Sequence, residues 1–363
     1  MTGPVVWPGG GETVRVSAPA KVNLALEVVG KRPDGYHELA TIFQTIDLRD
    51  EVDVVLRAEP GIDLEVRYEG FDGFERGDGP ERGEGDTSLP DLGPAERNLV
   101  VRAGAALLAA AGRTAGGAGW AGQTGQTGQT GQAGEAGEAA RENAGRVGNR
   151  GARFRLTKRI PVGAGLGGGS SDAAAALVGL NHLLGDDGVS DADLHEIAAS
   201  LGADVPFFLV GGTCLGRGIG ELLTPLPSCP EISLVVVFPN VAVSTSSVFG
   251  RLESGLTPPG PLARMSPLDI RPDFWSRDWA DFRNDLEPHV AVDGSAVAEV
   301  LRTFRSLGSS FSRMSGSGSA VFGVAPDEGQ AREWMERFRA QGYWARAVRP
   351  TRAGCRLLKS GVD

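Results

Sequence analysis

Apolar and polar residues alternate along the first part of the chain. TVRVSAPAKVNLALEVVG (13–30) keeps the two-residue period of half-buried strands on both sides of Pro19, which predicts two strands joined at that proline. EVDVVLR (51–57) and IDLEVRY (62–68) continue the strand pattern. From Gly70 to Ala95 the sequence becomes polar and rich in turn formers, predicting a long exposed loop. RNLVVRAGAALLAAAG (97–112) then reads as a helix. Residues 115–150 repeat glycine with Gln, Thr, Ala and Glu and without proline. A collagen helix is thereby disfavoured, and so little apolar surface predicts disorder in an insertion between a helix and a strand of one domain.

RFRLTKRIP (153–161) is a strand by the same criteria, followed by a glycine loop and the helix SDAAAALVGLNHLLG (171–185). A second helix, DADLHEIAASLG (191–202), runs into ADVPFFLVGGTCLGRG, so that Asp204 is expected between a helix end and a strand. Beyond Pro225 a fresh unit is predicted. It has a strand at ISLVVVF (232–238), helices near 245–254 and 295–306, strands near 311–324 and 343–348, and the helix EGQAREWMERFRAQG (328–342). Segregated strand-rich stretches mixed with helices predict an α+β protein of two domains.

Composition narrows the function classes. The 363 residues are 41% apolar and 23% charged, which is ordinary globular usage. The formal net charge of −10 argues against a nucleic-acid partner. It leaves phosphate ligands open, because backbone N–H groups at a helix start hold phosphate without basic side chains. Cys214, Cys229 and Cys355 form no CxxC pair and the four histidines are scattered, so neither a disulfide framework nor a zinc site is expected. No run is long and apolar enough to span a membrane, and the first residues lack a signal-peptide pattern. The expected location is the cytoplasm.

The strongest chemical signal is Pro161-Val162-Gly163-Ala164-Gly165-Leu166-Gly167-Gly168-Gly169-Ser170-Ser171-Asp172, leading into the alanine-rich helix. Glycines clear side chains where backbone must approach a ligand, and the free N–H groups of a helix start face the same space. Ser170 and Ser171 can cap the helix, bind phosphate or sit near a metal ion. No Lys-Ser/Thr pair follows the last glycine, so the loop is not a Walker A. Gly163, Gly165 and Gly168 formally match GxGxxG, with Asp186 beyond. A dinucleotide site would need that acid at the end of a second parallel strand, whereas Asp186 lies in the loop LGDDGVS. A flexible turn before a capped helix is the plainest alternative. Three weaker segments accompany the loop: Ala18-Pro19-Ala20-Lys21-Val22-Asn23 with Gly35-Tyr36-His37-Glu38, then Leu201-Gly202-Ala203-Asp204-Val205-Pro206, then Ser315-Gly316-Ser317-Gly318-Ser319.

Taken together and in this order, the four segments resemble the GHMP family of small-molecule kinases. SAPAKVNLALEVVGKRPDGYHELATIFQTIDLRDEV, TKRIPVGAGLGGGSSDAAAALVGLN, LGADVPFFL and RMSGSGSAVFG carry the likeness. The DGYHEL stretch is similar to the branch that phosphorylates the 2-hydroxyl of a cytidine diphosphate-linked methylerythritol in the non-mevalonate isoprenoid route.

The resemblance implies a two-domain fold, with a unit like ribosomal protein S5 domain 2 over 1–222 and a ferredoxin-like unit over 223–363. It implies ATP as donor, with Mg2+ bound to the nucleotide rather than to a protein metal site. Lys21 and Asp204 become the catalytic pair, Asp204 orienting or deprotonating the hydroxyl and Lys21 stabilising charge around the transferring phosphoryl. Pro161 to Ser171 and Asn98 fall on the nucleotide side. Asn23, Tyr36, His37 and Phe43 fall on the substrate side, with Tyr36 and His37 reading the cytosine, and Thr245 and Phe249 join them. Other GHMP substrates (homoserine, mevalonate or a sugar) and a non-catalytic ligand-binding relative are the alternatives. Gly35-Tyr36-His37 discriminates against the first, and the presence of both Lys21 and Asp204 against the second.

Overall fold

A computed structural model describes residues 12–71, 94–115, 149–252, 260–266, 269–271, 273–276 and 279–359. The loop predicted at 70–95 and the low-complexity segment at 115–150 lie almost entirely outside the described residues.

The first sheet is built on two long antiparallel strands, β1 (Thr13–Lys31) and β2 (His37–Arg57). The expected break at Pro19 does not occur. The strand continues through it, and the pairing register shifts between Pro19 and Ala20. Pairing with β2 on both sides holds the run in line, while the shift accommodates a residue that has no N–H to donate. β3 (Gly61–Tyr68) runs parallel to β4 (Gly151–Lys158), which pairs with the far end of β2. β5 (Thr213–Gly218) pairs with the near end of β2, and β6 (Leu222–Pro225) pairs with β5.

Four helices cover one face: α1 (Leu99–Ala115), α2 (Gly168–Leu184), α3 (Asp191–Leu201) and α4 (Val205–Val210). α2 buries Ala173, Ala174, Ala175 and Ala176. Its small residues allow a close approach to the sheet, since a Cβ on Gly179 would come within 2.7 Å of Val54 and 2.9 Å of Val16. α4 is a correction to the sequence reading. Asp204 lies between two helices, because Pro206 is favourable in a first helical turn and the Phe207 and Phe208 that follow are buried.

The second sheet contains β7 (Ser233–Phe238), β8 (Ser312–Met314), β9 (Val321–Ala325) and β10 (Trp344–Val348), all antiparallel in the order β10-β7-β9-β8. Between β7 and β8 lie α5 (Thr245–Arg251), α6 (Pro261–Arg264) and α7 (Ala296–Ser306), and α8 (Glu328–Ala340) connects β9 to β10. With α7 and α8 as its two crossovers, this is the ferredoxin-like arrangement. β11 (Arg356–Leu358) then returns to pair with β1. We propose the division of the two units near residue 222, with β6 and β11 joining the first sheet.

The layers follow from strand alternation. In β7, Leu234, Val236 and Phe238 face a core shared with Ala20, Val22 and Leu24 of β1, whereas Val235 and Val237 face Phe304 of α7 and Phe338 of α8. The order is therefore helices, sheet, sheet, helices, with an apolar core between the two sheets. No helix among the described residues is long and apolar enough to cross a membrane.

Candidate active site

β4 ends at Lys158, and the chain crosses to α2 through the glycine loop. Gly163, Gly165 and Gly167 adopt φ of +70°, +75° and +71°, values that L side chains rarely take. At Gly165 the space is also closed, because a Cβ would lie 2.2 Å from the carbonyl oxygen of Ser315. The loop is thus packed backbone to backbone on the second glycine segment. Ser315 adds a hydrogen bond from its Oγ to the Gly165 carbonyl at 2.9 Å, and the Ala320 N–H donates to the Ala164 carbonyl at 3.0 Å. At the start of α2, Gly167 occupies the cap position and no side chain caps the helix. The first N–H groups of a long helix are therefore left for a ligand.

A cavity of about 530 Å³ opens against this loop. Lys21 of β1 enters it from below, held by a backbone bond from its N–H to the Leu166 carbonyl at 3.0 Å. Its Nζ donates to Asn23 Oδ1 and lies 3.5 Å from Asp204 Oδ2. Asn23 is locked in turn, donating from Nδ2 to Thr41 Oγ1 at 2.8 Å, while Thr41 donates to the Ala25 carbonyl at 2.7 Å. Phe43 lies under the ammonium, with its ring centroid 5.4 Å from Nζ and the ring stacked on Phe207. Lys21 is 4% exposed and Asp204 31%, so the cation is fixed while the carboxylate meets the cavity. Asp204 occupies the cap position of α4 without making a side-chain cap bond.

The GHMP kinases N terminal domain model matches residues 133–212 and the GHMP kinases C terminal model matches 273–343. A 4-diphosphocytidyl-2-C-methyl-D-erythritol kinase from Geobacter sp. (strain M21) is 37% identical over 340 residues, covering 93% of this chain and 98% of the relative. The enzyme of that name from Pelotomaculum thermopropionicum is 38% identical over 322 residues, covering 89% and 92%. The chain belongs to the 4-diphosphocytidyl-2-C-methyl-D-erythritol kinase family. A crystal structure of 4-(cytidine 5'-diphospho)-2C-methyl-D-erythritol kinase superposes with a TM-score of 0.63 at 31% identity, covering 93% of this chain and 98% of that one. Homoserine kinase from Cytophaga hutchinsonii, at 18% identity and a TM-score of 0.61, shares the fold.

In this small-molecule kinase the residues expected at the site divide into three groups. Lys21, Asn23, Phe43, Asn98, Asp204, Thr245, Phe249 and the loop from Pro161 to Ser170 all line the cavity. Asn98 also accepts the Val100 N–H at 2.9 Å, capping α1 beside the loop. Within the lining, Asn23 and Phe43 also support Lys21. Ser171 is brought elsewhere. It is fully buried, and its hydroxyl lies 3.8 Å from Cys355 Sγ. His37 stands behind the lining, its ring stacked on Phe249 at 5.1 Å, and Tyr36 is 60% exposed beyond it.

The structure adds contacts at the site that no single segment of the sequence predicts. Ser317 Oγ sits 2.9 Å from Thr245 Oγ1, joining α5 to the second glycine segment. Asn284, buried, donates from Nδ2 to the carbonyls of Met314 and Gly316 at 2.8 Å each, and the Glu287 carboxylate accepts the Met314 N–H at 2.7 Å. Burial pushes the Glu287 carboxyl up, against the pull of that N–H. The polar run Arg283-Asn284-Asp285 between Phe282 and Leu286, both buried, was the available hint for Asn284. Among the described residues no group of three or more His, Cys, Asp or Glu is arranged to hold a metal ion.

Proposed function

We propose that the protein transfers the γ-phosphoryl group of ATP to the 2-hydroxyl of 4-diphosphocytidyl-2-C-methyl-D-erythritol. The observation that carries this reading is the Lys21–Asp204 pair, 3.5 Å apart and set against the glycine loop in one cavity. The exposed N–H groups at the start of α2 hold the phosphates of the nucleotide, and the dipole of the 17-residue helix adds to that attraction. Asn98 bounds the nucleotide side. The acceptor hydroxyl meets Asp204, whose carboxylate orients it and takes its proton as the new P–O bond forms. The bond from the γ-phosphorus to the bridging oxygen breaks as ADP leaves. Lys21 stabilises negative charge on the transferring group. Phosphoryl transfer asks mainly for positioning and electrostatics, so a cradle of N–H groups with one Lys–Asp pair is chemically sufficient.

The substrate's base lies toward Phe249, with the His37 ring stacked on that wall and Tyr36 able to fold over it. The name shared by the relatives, with the GYHEL sequence at 35–39, supports this assignment. Mg2+ travels with the nucleotide. The oxygens of Ser170 and Asp204 in the lining suit the waters of a hard cation, which supplies charge neutralisation at the phosphates.

A coupled ADP-release assay with Mg-ATP tests the reading, using the cytidylyl compound, homoserine, mevalonate and galactose in parallel. Release with the cytidylyl compound alone is expected. Release with another acceptor instead would keep the kinase chemistry and discard the cytidine wall. No release with any of them would remove the proposed activity.

A further inference from the structure

Beneath the glycine loop lies a buried ionic cluster that the phosphoryl chemistry does not use. Lys158, the last residue of β4, is 2% exposed. Its Nζ donates to Asp172 Oδ2 at 2.8 Å and to Asp50 Oδ2. Asp50, on β2, is fully buried, and its other oxygen accepts the N–H groups of Arg159 and, at 2.8 Å, Ile160. Asp172, in the first turns of α2, is 3% exposed. The Lys158–Asp172 contact therefore spans the loop from the strand that enters it to the helix that leaves it. Asp50 fastens the entering side to the neighbouring strand.

Such a cluster is poorly explained as a stability device, because the desolvation of buried ions can exceed their mutual attraction. Apolar residues of similar volume would fill the same space. Three features tie it to the site instead. Lys158 and Asp172 both line the cavity. Gly168, at the helix start, lies directly on the ammonium, and a Cβ there would sit 3.1 Å from Lys158 Nζ. Asp172 Oδ1 is buried and has no hydrogen-bond partner, an expense seldom retained without a local role. Burial and the Asp50 charge push the Asp172 carboxyl up against the pull of Lys158, while the two carboxylates hold Lys158 up against its own burial.

We propose that Lys158 and Asp172 are positioning residues for nucleotide binding: with Asp50 they form a clasp across the base of the glycine loop, holding its N–H groups where a nucleoside triphosphate meets them. The clasp rests on the reading of the loop as the nucleotide site. It touches neither the acceptor hydroxyl nor the wall formed by Phe249, so its loss is felt by one substrate of the two.

The test compares wild type with Asp172→Ala and Asp172→Asn, measuring the Kd for Mg-ATP by calorimetry, KM for each substrate, and thermal unfolding. Asp172→Ala is expected to raise the Kd and KM for ATP by about tenfold or more, since small misplacements at a reacting site are costly. KM for the cytidylyl substrate should stay unchanged. Asp172→Asn, whose amide oxygen still accepts from Lys158, should restore most of the ATP affinity. A folded Asp172→Ala with wild-type ATP affinity would overturn the proposal. So would equal rises in both KM values, or an Asn variant as impaired as the Ala one. Should Asp172→Ala not fold, Asp50→Asn carries the test, because its amide oxygen still accepts the Arg159 and Ile160 N–H groups while the charged contact with Lys158 is lost. A weaker ATP Kd with the cytidylyl KM intact is expected of it, and an unchanged ATP Kd sinks the clasp. Wild type that binds no Mg-ATP would instead remove the nucleotide reading of the loop, and the clasp with it.

Discussion

Asp204 stands in the cap position of a helix and makes no cap bond, although aspartate there ordinarily accepts from the second or third helical N–H. Its carboxylate is instead drawn toward Lys21, 3.5 Å away. Lys21 cannot follow a ligand outward, because Asn23 holds its ammonium, Leu166 holds its backbone, and Phe43 closes the space beneath it. A fixed cation beside a half-open carboxylate is what transfer to a hydroxyl asks of a protein. Replacing Asp204 with Asn keeps the shape and removes the base. Turnover is expected to fall by roughly 10²–10⁴-fold if proton removal is its task, with KM for ATP little changed in steady-state kinetics. Near-normal turnover in that variant would leave Asp204 an orienting role only.

Among the elements, the two glycine segments act as one piece. Gly165 touches Ser315 backbone to backbone, and Ser315 donates to Gly165 while its own hydroxyl accepts the Asn23 N–H at 3.2 Å. Asn284 and Glu287 hold the second segment from behind, and Thr245 meets it through Ser317. The glycine loop and α5, proposed above as the nucleotide and substrate sides, are therefore joined through a short path. Gly165→Ala would combine a positive φ with a Cβ only 2.2 Å from a carbonyl oxygen. The backbone strain alone costs about 1–3 kcal/mol, and relief of the clash must move one segment off the other. Lower thermal stability together with weaker ATP binding is expected from calorimetry of this variant. A stable variant with normal ATP affinity would show that the packing of the two segments is dispensable.

At the scale of the molecule, the two sheets share a core, so neither unit has an apolar face of its own to spare. Ala20, Val22 and Leu24 of the first sheet pack in one cluster with Leu234, Val236 and Phe322 of the second. The return of β11 to β1 ties the last part of the chain to the first sheet as well. Leu24→Ala, at a fully buried position in that shared core, is expected to cost about 2–5 kcal/mol. Because both sheets lose the same contact, chemical denaturation should still show one transition, moved to lower denaturant. Two separated transitions would mean that the units unfold independently.

The two-residue and helical periods, the glycine run and the ordered set of short motifs determined most of the elements, the α+β class and the kinase family, because those signals are local. Lys21, Asp204 and the glycine loop were legible for the same reason, as unusual residue types in fixed local company. Tertiary contacts decided the rest. Pro19 lies inside a continuous strand because pairing with β2 outweighed a local breaker. Ser171 turned to Cys355 and away from the cavity because its position on α2 faces the buried side. Asn284, Thr41 and the Asp50–Lys158–Asp172 cluster became visible only when distant residues met, Asp50 and Lys158 being 108 positions apart. Charge and hydrogen-bond partners of that kind are set by how sheets and loops pack, and no period along the chain encodes them.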